Sequence, residues 1–352
     1  MAEIQNAYLH CRDVLLERLG EAAPGRIQLL TGPRQVGKTT LLLDIAAKFG
    51  DQAIYAAGDD PDASLPGFWE RRWAEAETRA KQGTAVLLLD EVHHLSDWAG
   101  RLKGHWDRAR RRHLPIHVVA TGSSALRVAQ ASRESLAGRF ERLTLSHWPA
   151  ASLAEAFHLS PHQAAINLVL FGSYPGAVEF QKSLERWRAY VRDAIIEPAI
   201  GRDVLAQGAV RRPALLHQVF AIAAGSPAQI VSLQKLQGQL QDSGAIETVA
   251  HYLALLEDAY LIAPLEKYST QVLRRRASPP KLVTLNNALL SAMHPDGAPD
   301  RQVAAADQPA NAHSRNRFCF GFEKKIFPDP APHHERQSRF RRVERGANFL
   351  PP

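Results

Sequence analysis

The sequence predicts an α/β fold at residues 1–148, in which a parallel sheet lies between helices. Apolar, strand-like segments alternate with helical segments as far as Ser146, which is the order of parallel α/β domains. A glycine-rich phosphate-loop motif follows the first of these strands, and a later apolar strand ends in two acidic residues. Together these observations indicate the fold of a P-loop nucleoside triphosphatase.

The phosphate-loop motif lies between a predicted strand at 27–30 and a predicted helix at 40–47. It fits the pattern G-x-x-x-x-G-K-[ST] at every position. Glycine permits backbone angles that a side chain forbids, so the loop N–H groups can turn toward phosphate oxygens beside a helix N-terminus. Lys38 is then expected to contact the β- and γ-phosphates and Thr39 to hold Mg²⁺. The expected nucleotide contacts are Gly32, Pro33, Arg34, Gln35, Val36, Gly37, Lys38, Thr39 and Thr40.

The second half of the expected site begins with residues 85–89, which are apolar at every position and precede Asp90 and Glu91. Such a run is typical of a central parallel strand that is buried on both faces. We expect Asp90 to hold Mg²⁺, directly or through water, and Glu91 to polarise the attacking water, a role worth roughly 10²- to 10⁴-fold in rate. The alternative is that two acids merely solvate a strand end. The phosphate loop favours the catalytic interpretation, because it requires an acidic partner strand.

Two polar residues and one arginine complete the candidate catalytic set. Thr121 and Ser123 follow a strand predicted at 116–120, where either could sense the γ-phosphate or cap the next helix. Arg139 is a candidate arginine finger that acts either on the nucleotide of its own subunit or on that of a neighbouring subunit. Such a residue raises the rate of hydrolysis by about 10³- to 10⁵-fold. The alternative for Arg139 is an ordinary surface arginine.

The composition is that of a globular protein with more than one domain. Of its 352 residues, 45% are hydrophobic and 22% charged, which fits two or three domains. Two cysteines far apart exclude a disulfide framework and favour a reducing cytoplasm. No apolar run reaches the roughly 18 residues of a transmembrane helix, and the first ten residues lack a signal-peptide pattern. A cytoplasmic location without a membrane partner is therefore expected.

After residue 148 the strand pattern stops, which predicts a helical lid at 149–210 and a winged-helix domain at 211–292. The elements expected in the winged helix are helices at 213–225, 227–237 and 245–258 and strands at 260–262 and 281–285. The residues from 293 to 352 are rich in proline and nearly lack leucine, isoleucine and valine. This composition predicts a largely disordered tail, because it cannot bury enough apolar surface to order itself.

The loop between the two later strands carries three basic residues: Arg274, Arg275 and Arg276. They form a candidate wing tip that contacts the phosphates of double-stranded DNA. The helix at 245–258 argues against strong DNA binding, since it carries acids and no lysine or arginine, and phosphates repel acids. A DNA contact and a purely structural role both stay open.

Several motifs together resemble a known group of proteins. They are GPRQVGKTTLL (32–42), LLLDEVHHL (87–95), TGSSAL (121–126), SLAGRF (135–140), FGSYPGAV (171–178), GRDV (201–204), LEDAYLI (256–262) and PPKLVTLNNAL (279–289). Over residues 5–292 the chain resembles bacterial and archaeal ATPases of the AAA+ superfamily, close to the signal-transduction ATPases with numerous domains. The resemblance implies a P-loop ATPase domain, a helical lid and a winged helix, with ATP and Mg²⁺ bound at Lys38, Thr39, Asp90 and Glu91.

Members of that group usually carry a C-terminal domain similar to restriction endonucleases. The spaced acidic residues and Glu-x-Lys pattern of that fold are not found after Met293. We therefore expect no nuclease activity, and the composition of the tail indicates a truncation or a shifted reading frame.

The leading functional hypothesis is a Mg²⁺-dependent ATPase that acts as a nucleotide-driven conformational switch, with ATP/ADP, double-stranded DNA and a second copy of the chain as candidate partners. The alternative is a non-catalytic ATP-binding scaffold. A helicase is a minor alternative, because residues 90–93 read D-E-x-H, although no second strand-rich domain follows.

Overall fold

The computed structural model of the chain describes residues 7–122, 136–204, 210–240, 245–268 and 278–293. The helices are α1 (Ala7–Leu19), α2 (Lys38–Phe49), α3 (Phe68–Arg79), α4 (Trp98–Arg111), α5 (Ala150–Ala156), α6 (Pro161–Phe171), α7 (Leu184–Tyr190), α8 (Pro213–Gly225), α9 (Leu233–Gln237), α10 (Ile246–Asp258) and α11 (Asn287–Met293). The strands are β1 (Ile27–Thr31), β2 (Ala53–Ala57), β3 (Ala85–Asp90), β4 (Ile116–Gly122), β5 (Phe140–Thr144), β6 (Ile262–Leu265) and β7 (Lys281–Thr284).

The first five strands form one parallel sheet in the order β2-β3-β4-β1-β5. The register pairs Ile27 with Phe140 on one side of β1 and Thr31 with Gly122 on the other. This confirms the predicted α/β fold with a parallel sheet between helices. The order also places the phosphate-loop strand β1 in the interior of the sheet.

The continuous apolar run of β3 is explained by burial on both faces. Leu87 and Leu89 pack with the tryptophans of α3 and α4, while Val86 and Leu88 pack with α1 and α2. All four side chains are almost fully buried. Burial of each one stabilises the fold by about 1.5–3 kcal/mol relative to an exposed position. A strand with a polar face could not occupy this position.

The later part of the chain has its own core, in which Trp187, Phe220 and Leu256 are buried. Helices α8 to α10 precede the antiparallel pair β6–β7. One predicted helix was wrong: residues 227–237 are helical only over Leu233–Gln237, because Ser232 is the N-cap and its Oγ accepts from the Lys235 N–H at 3.1 Å. The segment before it instead turns at Ala228, where φ is 58°, and Ile230 then bridges to Lys281 of β7.

The predicted strand at 260–262 begins two residues later, at Ile262. Tyr260 adopts a left-handed backbone with φ 58°, and its N–H still donates to Glu257 O. The chain therefore turns there before it can pair. The predicted tail at 293–352 lies outside the described residues apart from Met293.

A buried polar cluster joins the end of the first part of the chain to α11. Asn286 Oδ1 accepts from the N–H groups of Ser173 at 3.2 Å and Ala288 at 3.0 Å. Its Nδ2 donates to Ser173 Oγ at 3.1 Å and to His147 Nδ1 at 3.0 Å. Because two backbone donors fix the amide oxygen, His147 Nδ1 must be an acceptor, and Nε2–H donates to Tyr260 O at 3.3 Å. Burial lowers the pKa of His147 to about 4, which agrees with a neutral ring.

Within the described residues, no helix combines the length and the apolarity that crossing a bilayer requires.

Candidate nucleotide-binding site

Three parallel strands bring their carboxyl ends to the same edge of the sheet. β1 ends at Thr31, β3 at Asp90 and β4 at Gly122. Because β4 lies between β1 and β3, the first and third strands are about 10 Å apart. The phosphate loop after β1 and the acidic end of β3 therefore lie at one edge, as the sequence predicts.

The loop between β1 and α2 depends on its two glycines. Gly32 has φ 152°, and a Cβ at this position would lie 2.1 Å from the carbonyl oxygen of Leu145. Gly37 is the N-cap of α2 in a left-handed conformation, with φ 99° and ψ 23°. Side chains at these positions would be strained by the backbone angles, and at Gly32 by direct overlap as well. The motif is thus required by the shape of the loop.

Lys38 lies at the start of α2 and is buried. Its Nζ donates to the carbonyl oxygens of Gly32 at 3.0 Å and Pro33 at 2.6 Å, so the ammonium group lies against the loop itself. Thr39 and Thr40 follow in the first turn of α2 and are exposed. A cationic side chain, helix N–H groups and two hydroxyls are therefore gathered at one place, which suits an anionic phosphate.

Asp90 is almost fully buried at the end of β3. Its carboxylate accepts hydrogen bonds from the Thr121 hydroxyl, from Tyr55 Oη at 3.1 Å and from the Glu91 N–H at 3.0 Å. Burial and the adjacent carboxylate raise the pKa of the Tyr55 phenol, so it remains a donor. Thr121, which the sequence predicts as a γ-phosphate sensor, thus lies beside Asp90. The contact of Tyr55 with Asp90 was not predicted.

Glu91 has a left-handed backbone with φ 44°, which turns the chain from β3 into the short 3₁₀ turn Val92–His94. A Cβ on Gly58 would lie only 2.5 Å from Glu91 O, so this turn needs a glycine opposite it. The turn brings His93 Nδ1 to 3.1 Å from Glu91 Oε2. Burial and then the charge of His93 lower the pKa of His94.

Arg139 lies far from this group. It precedes β5, and its carbonyl accepts from Ile27 N–H at the start of β1, whereas the phosphate loop follows the end of β1. Five strand residues separate the two edges by about 16 Å. The guanidinium binds Asp107 with two contacts, Nε–Oδ1 at 2.8 Å and Nη2–Oδ2 at 3.2 Å. The geometry does not bring Arg139 to the loop of its own subunit, and the role in trans stays a prediction.

Four other predicted residues cannot be placed. Ser123 and the basic residues Arg274, Arg275 and Arg276 lie outside the described residues. Their expected contacts with the γ-phosphate and with DNA stay predictions.

The sequence did not predict the contacts between the phosphate loop and residues that follow the sheet. Trp148 Nε1 donates to Val36 O at 2.9 Å, and Tyr190 Oη donates to Gln35 Oε1 at 3.4 Å. Val36 is itself buried. Trp148 and Tyr190 belong to the part of the chain after the sheet, more than 100 residues from the loop, so no local pattern could reveal the pairing.

Two family models match the chain. Residues 24–152 match the family described as an AAA domain, and residues 162–300 match a domain of unknown function, DUF8612. Uncharacterised proteins of Mycobacterium tuberculosis and Mycobacterium bovis are each 28% identical over 285 residues, which is 79% of this chain. The chain spans 59% of the length of these relatives.

Among solved structures, the chain is similar to the AMPPCP-bound DnaA of Aquifex aeolicus, with a TM-score of 0.38 and 18% identity. The similarity covers 72% of this chain and 89% of DnaA. The family match covers the loop, the acidic end of β3 and all five parallel strands, from β1 to β5. Residues 24–152 of this chain therefore match the AAA domain family.

Proposed function

We propose that the chain binds ATP at the phosphate loop and hydrolyses it to ADP and phosphate. One observation carries the proposal: Lys38 and the loop lie at the same edge of the sheet as the polar group formed by Asp90, Glu91 and Thr121. A phosphate-binding loop alone would support binding. The acidic group beside it supports hydrolysis, since a positioned carboxylate can orient water.

In the proposed reaction each residue has a separate task. The loop N–H groups and Lys38 hold the phosphates, and Lys38 exchanges its two carbonyl contacts for phosphate oxygens. Glu91, whose side chain is 21% exposed, orients the attacking water. Thr121 holds the Asp90 carboxylate and contacts the Glu91 N–H at 3.3 Å, so it fixes the position of both acids.

The residues at this edge fit a magnesium ion. Mg²⁺ prefers oxygen ligands, and the exposed hydroxyl of Thr39 and the carboxylate of Asp90 are such ligands. The buried carboxylate is contacted by neutral donors in the hydrogen bonds given above, so its charge is not cancelled by those partners. When bound, Mg²⁺ neutralises charge on the β- and γ-phosphates.

We infer that nucleotide binding is transmitted to the later part of the chain. Trp148 and Tyr190 contact the loop residues Val36 and Gln35, so a loop that moves on binding phosphate must move them too. We assign residues 149–210 as the helical lid and 211–292 as the winged helix. The bridge between Ile230 and Lys281 supports the winged helix, because it adds a third short segment to the β6–β7 pair.

DNA binding and self-association remain candidate outputs of this switch. The helix α10 carries Glu247, Glu257 and Asp258 and no lysine or arginine, so DNA contact would depend on Arg274, Arg275 and Arg276. A second copy of the chain would be needed for Arg139 to act on the nucleotide. The relation to signal-transduction ATPases with numerous domains also belongs to this proposal.

Phosphate release from Mg²⁺-ATP by the purified chain tests the function. Lys38→Ala and Glu91→Gln should each lower turnover by at least about 10²-fold. The matched controls Lys48→Ala and Glu70→Gln, at exposed positions on α2 and α3, should not change it. Addition of double-stranded DNA tests the DNA link. Undiminished turnover in both site variants would refute hydrolysis at this site.

A fluorescent ATP analogue separates hydrolysis from the alternative of a non-catalytic scaffold. Under the proposal, Glu91→Gln keeps nucleotide affinity and loses turnover, while Lys38→Ala loses affinity. Tight binding without turnover by the unaltered chain, with and without DNA, would instead favour the scaffold.

A further inference from the structure

Two adjacent histidines follow the proposed catalytic acid and are not used by the proposed reaction. Glu91, His93 and His94 each offer one ligand atom, and these three atoms lie within 4.8 Å of one another. The left-handed backbone of Glu91 and the 3₁₀ turn after it bring about this cluster. A regular strand would instead place neighbouring side chains on opposite faces.

The inner histidine has an unsatisfied nitrogen that is aimed into the cluster. The His93 side chain is 2% exposed, and its Nδ1 makes no hydrogen bond among the described residues. The 3.1 Å approach to Glu91 Oε2 lacks the geometry of a hydrogen bond. A buried polar atom without a partner is unfavourable, so the position of Nδ1 needs a chemical reason.

Metal coordination supplies that reason. A tetrahedral Zn²⁺ ion with ligands at about 2.0–2.1 Å keeps neighbouring ligand atoms about 3.3 Å apart, close to the 3.1 Å between His93 Nδ1 and Glu91 Oε2. His94 is exposed and can rotate toward the other two ligands. Two imidazoles and one carboxylate, with the fourth position left to water, form a known type of zinc ligand set.

We propose that Glu91, His93 and His94 bind a Zn²⁺-type transition-metal ion, and that this ion inhibits ATP hydrolysis. Nitrogen ligands favour Zn²⁺ and Co²⁺ over Mg²⁺, so the site is distinct from the oxygen ligands Thr39 and Asp90. The inhibition rests on the proposed function: a Glu91 carboxylate that is bound to the metal no longer orients water. Nucleotide binding at the loop is left in place, because Lys38 takes no part in the metal site.

Metal binding is tested first, without nucleotide, by titration of the full chain with Co²⁺ and by competition between Zn²⁺ and a chromogenic chelator. Tetrahedral Co²⁺ gives strong visible absorption, which octahedral Co²⁺ does not. We expect one tetrahedral ion per chain and a loss of affinity of about 100-fold in the double variant His93→Ala/His94→Ala. His162→Ala removes an exposed histidine elsewhere and should leave the affinity unchanged.

The single variant His94→Ala tests the site without disturbing the core, because this side chain is exposed. It should weaken metal binding by at least about tenfold. Equal affinity in His94→Ala and the unaltered chain, or an octahedral Co²⁺ spectrum, would overturn the metal site.

Inhibition is then measured as phosphate release in excess Mg²⁺, with Zn²⁺ added and later removed by a chelator. We expect reversible loss of turnover in the unaltered chain and in His162→Ala, and resistance in His94→Ala. Turnover that persists with the metal bound would overturn the inhibitory role. A chain that binds the metal but never hydrolyses ATP would refute the proposed function and the inhibition, and would leave the metal site standing.

Discussion

Replacing Asn286 by alanine should strongly destabilise the chain. The side chain is 4% exposed and makes four hydrogen bonds, to the N–H groups of Ser173 and Ala288, to Ser173 Oγ and to His147 Nδ1. In the variant the two backbone N–H groups lose their acceptor inside a buried cluster. Each buried, unsatisfied group costs about 1–3 kcal/mol, so we expect a loss of about 3–5 kcal/mol, a large part of a typical stability of about 5–15 kcal/mol.

The assay is urea unfolding of the full chain, followed by tryptophan fluorescence and by circular dichroism. Asn287→Ala is the matched control, because the neighbouring amide is less buried and donates to Val169 O at 3.3 Å. That variant should lose about 1 kcal/mol. If Asn286→Ala is no less stable than Asn287→Ala, the buried cluster does not hold α11 in the way we infer.

Three further predictions follow from the same geometry. Gly32→Ala should abolish binding of a fluorescent ATP analogue, since its Cβ would lie 2.1 Å from Leu145 O; wild-type affinity would contradict the loop geometry. Thr121→Val, which removes the hydrogen bonds to Asp90 and Glu91 N–H, should lower ATP turnover about tenfold with a stability loss of about 1.5–3 kcal/mol; unchanged turnover would count against a positioning role. Acid should destabilise the chain through His147, whose pKa falls from an ordinary 6.5 to about 4 on burial. The contribution of neutral His147 to the free energy of unfolding is fully present above pH 6.5 and is lost as the pH falls toward 4, by up to about 3 kcal/mol. If the urea midpoint of the unaltered chain falls no more steeply with pH than that of His147→Gln, this reasoning is refuted.

The sequence predicts the parts of the site that local patterns encode. The phosphate loop needs glycine at fixed positions, and the apolar run before Asp90 needs burial on both faces, so both were recognisable from neighbouring residues. The hydrogen bond from Tyr55 of β2 to Asp90 was not predicted. That contact depends on the strand order β2-β3, which the linear pattern does not specify.

The sequence-based predictions were wrong or incomplete where residues far apart in the chain determine the structure. Ser226 followed by Pro227 resembles a helix start, yet the chain turns at Ala228, where φ is 58°, and then pairs with β7 through Ile230. Asn286 was noticed only as part of a motif, because its partners His147 and Ser173 are each more than 100 residues away. Both cases show long-range packing overriding local preference.

The fluorescence of the Trp148 indole can report on the phosphate loop. Its hydrogen bond to the Val36 carbonyl couples the emission of one tryptophan to the position of the loop backbone. The other five tryptophans of the chain are buried in the two large cores and contribute background emission. The difference in emission between the unaltered chain and Trp148→Phe gives the contribution of Trp148, so the other five tryptophans need not be replaced. The chain therefore carries its own label for following nucleotide arrival in stopped-flow experiments.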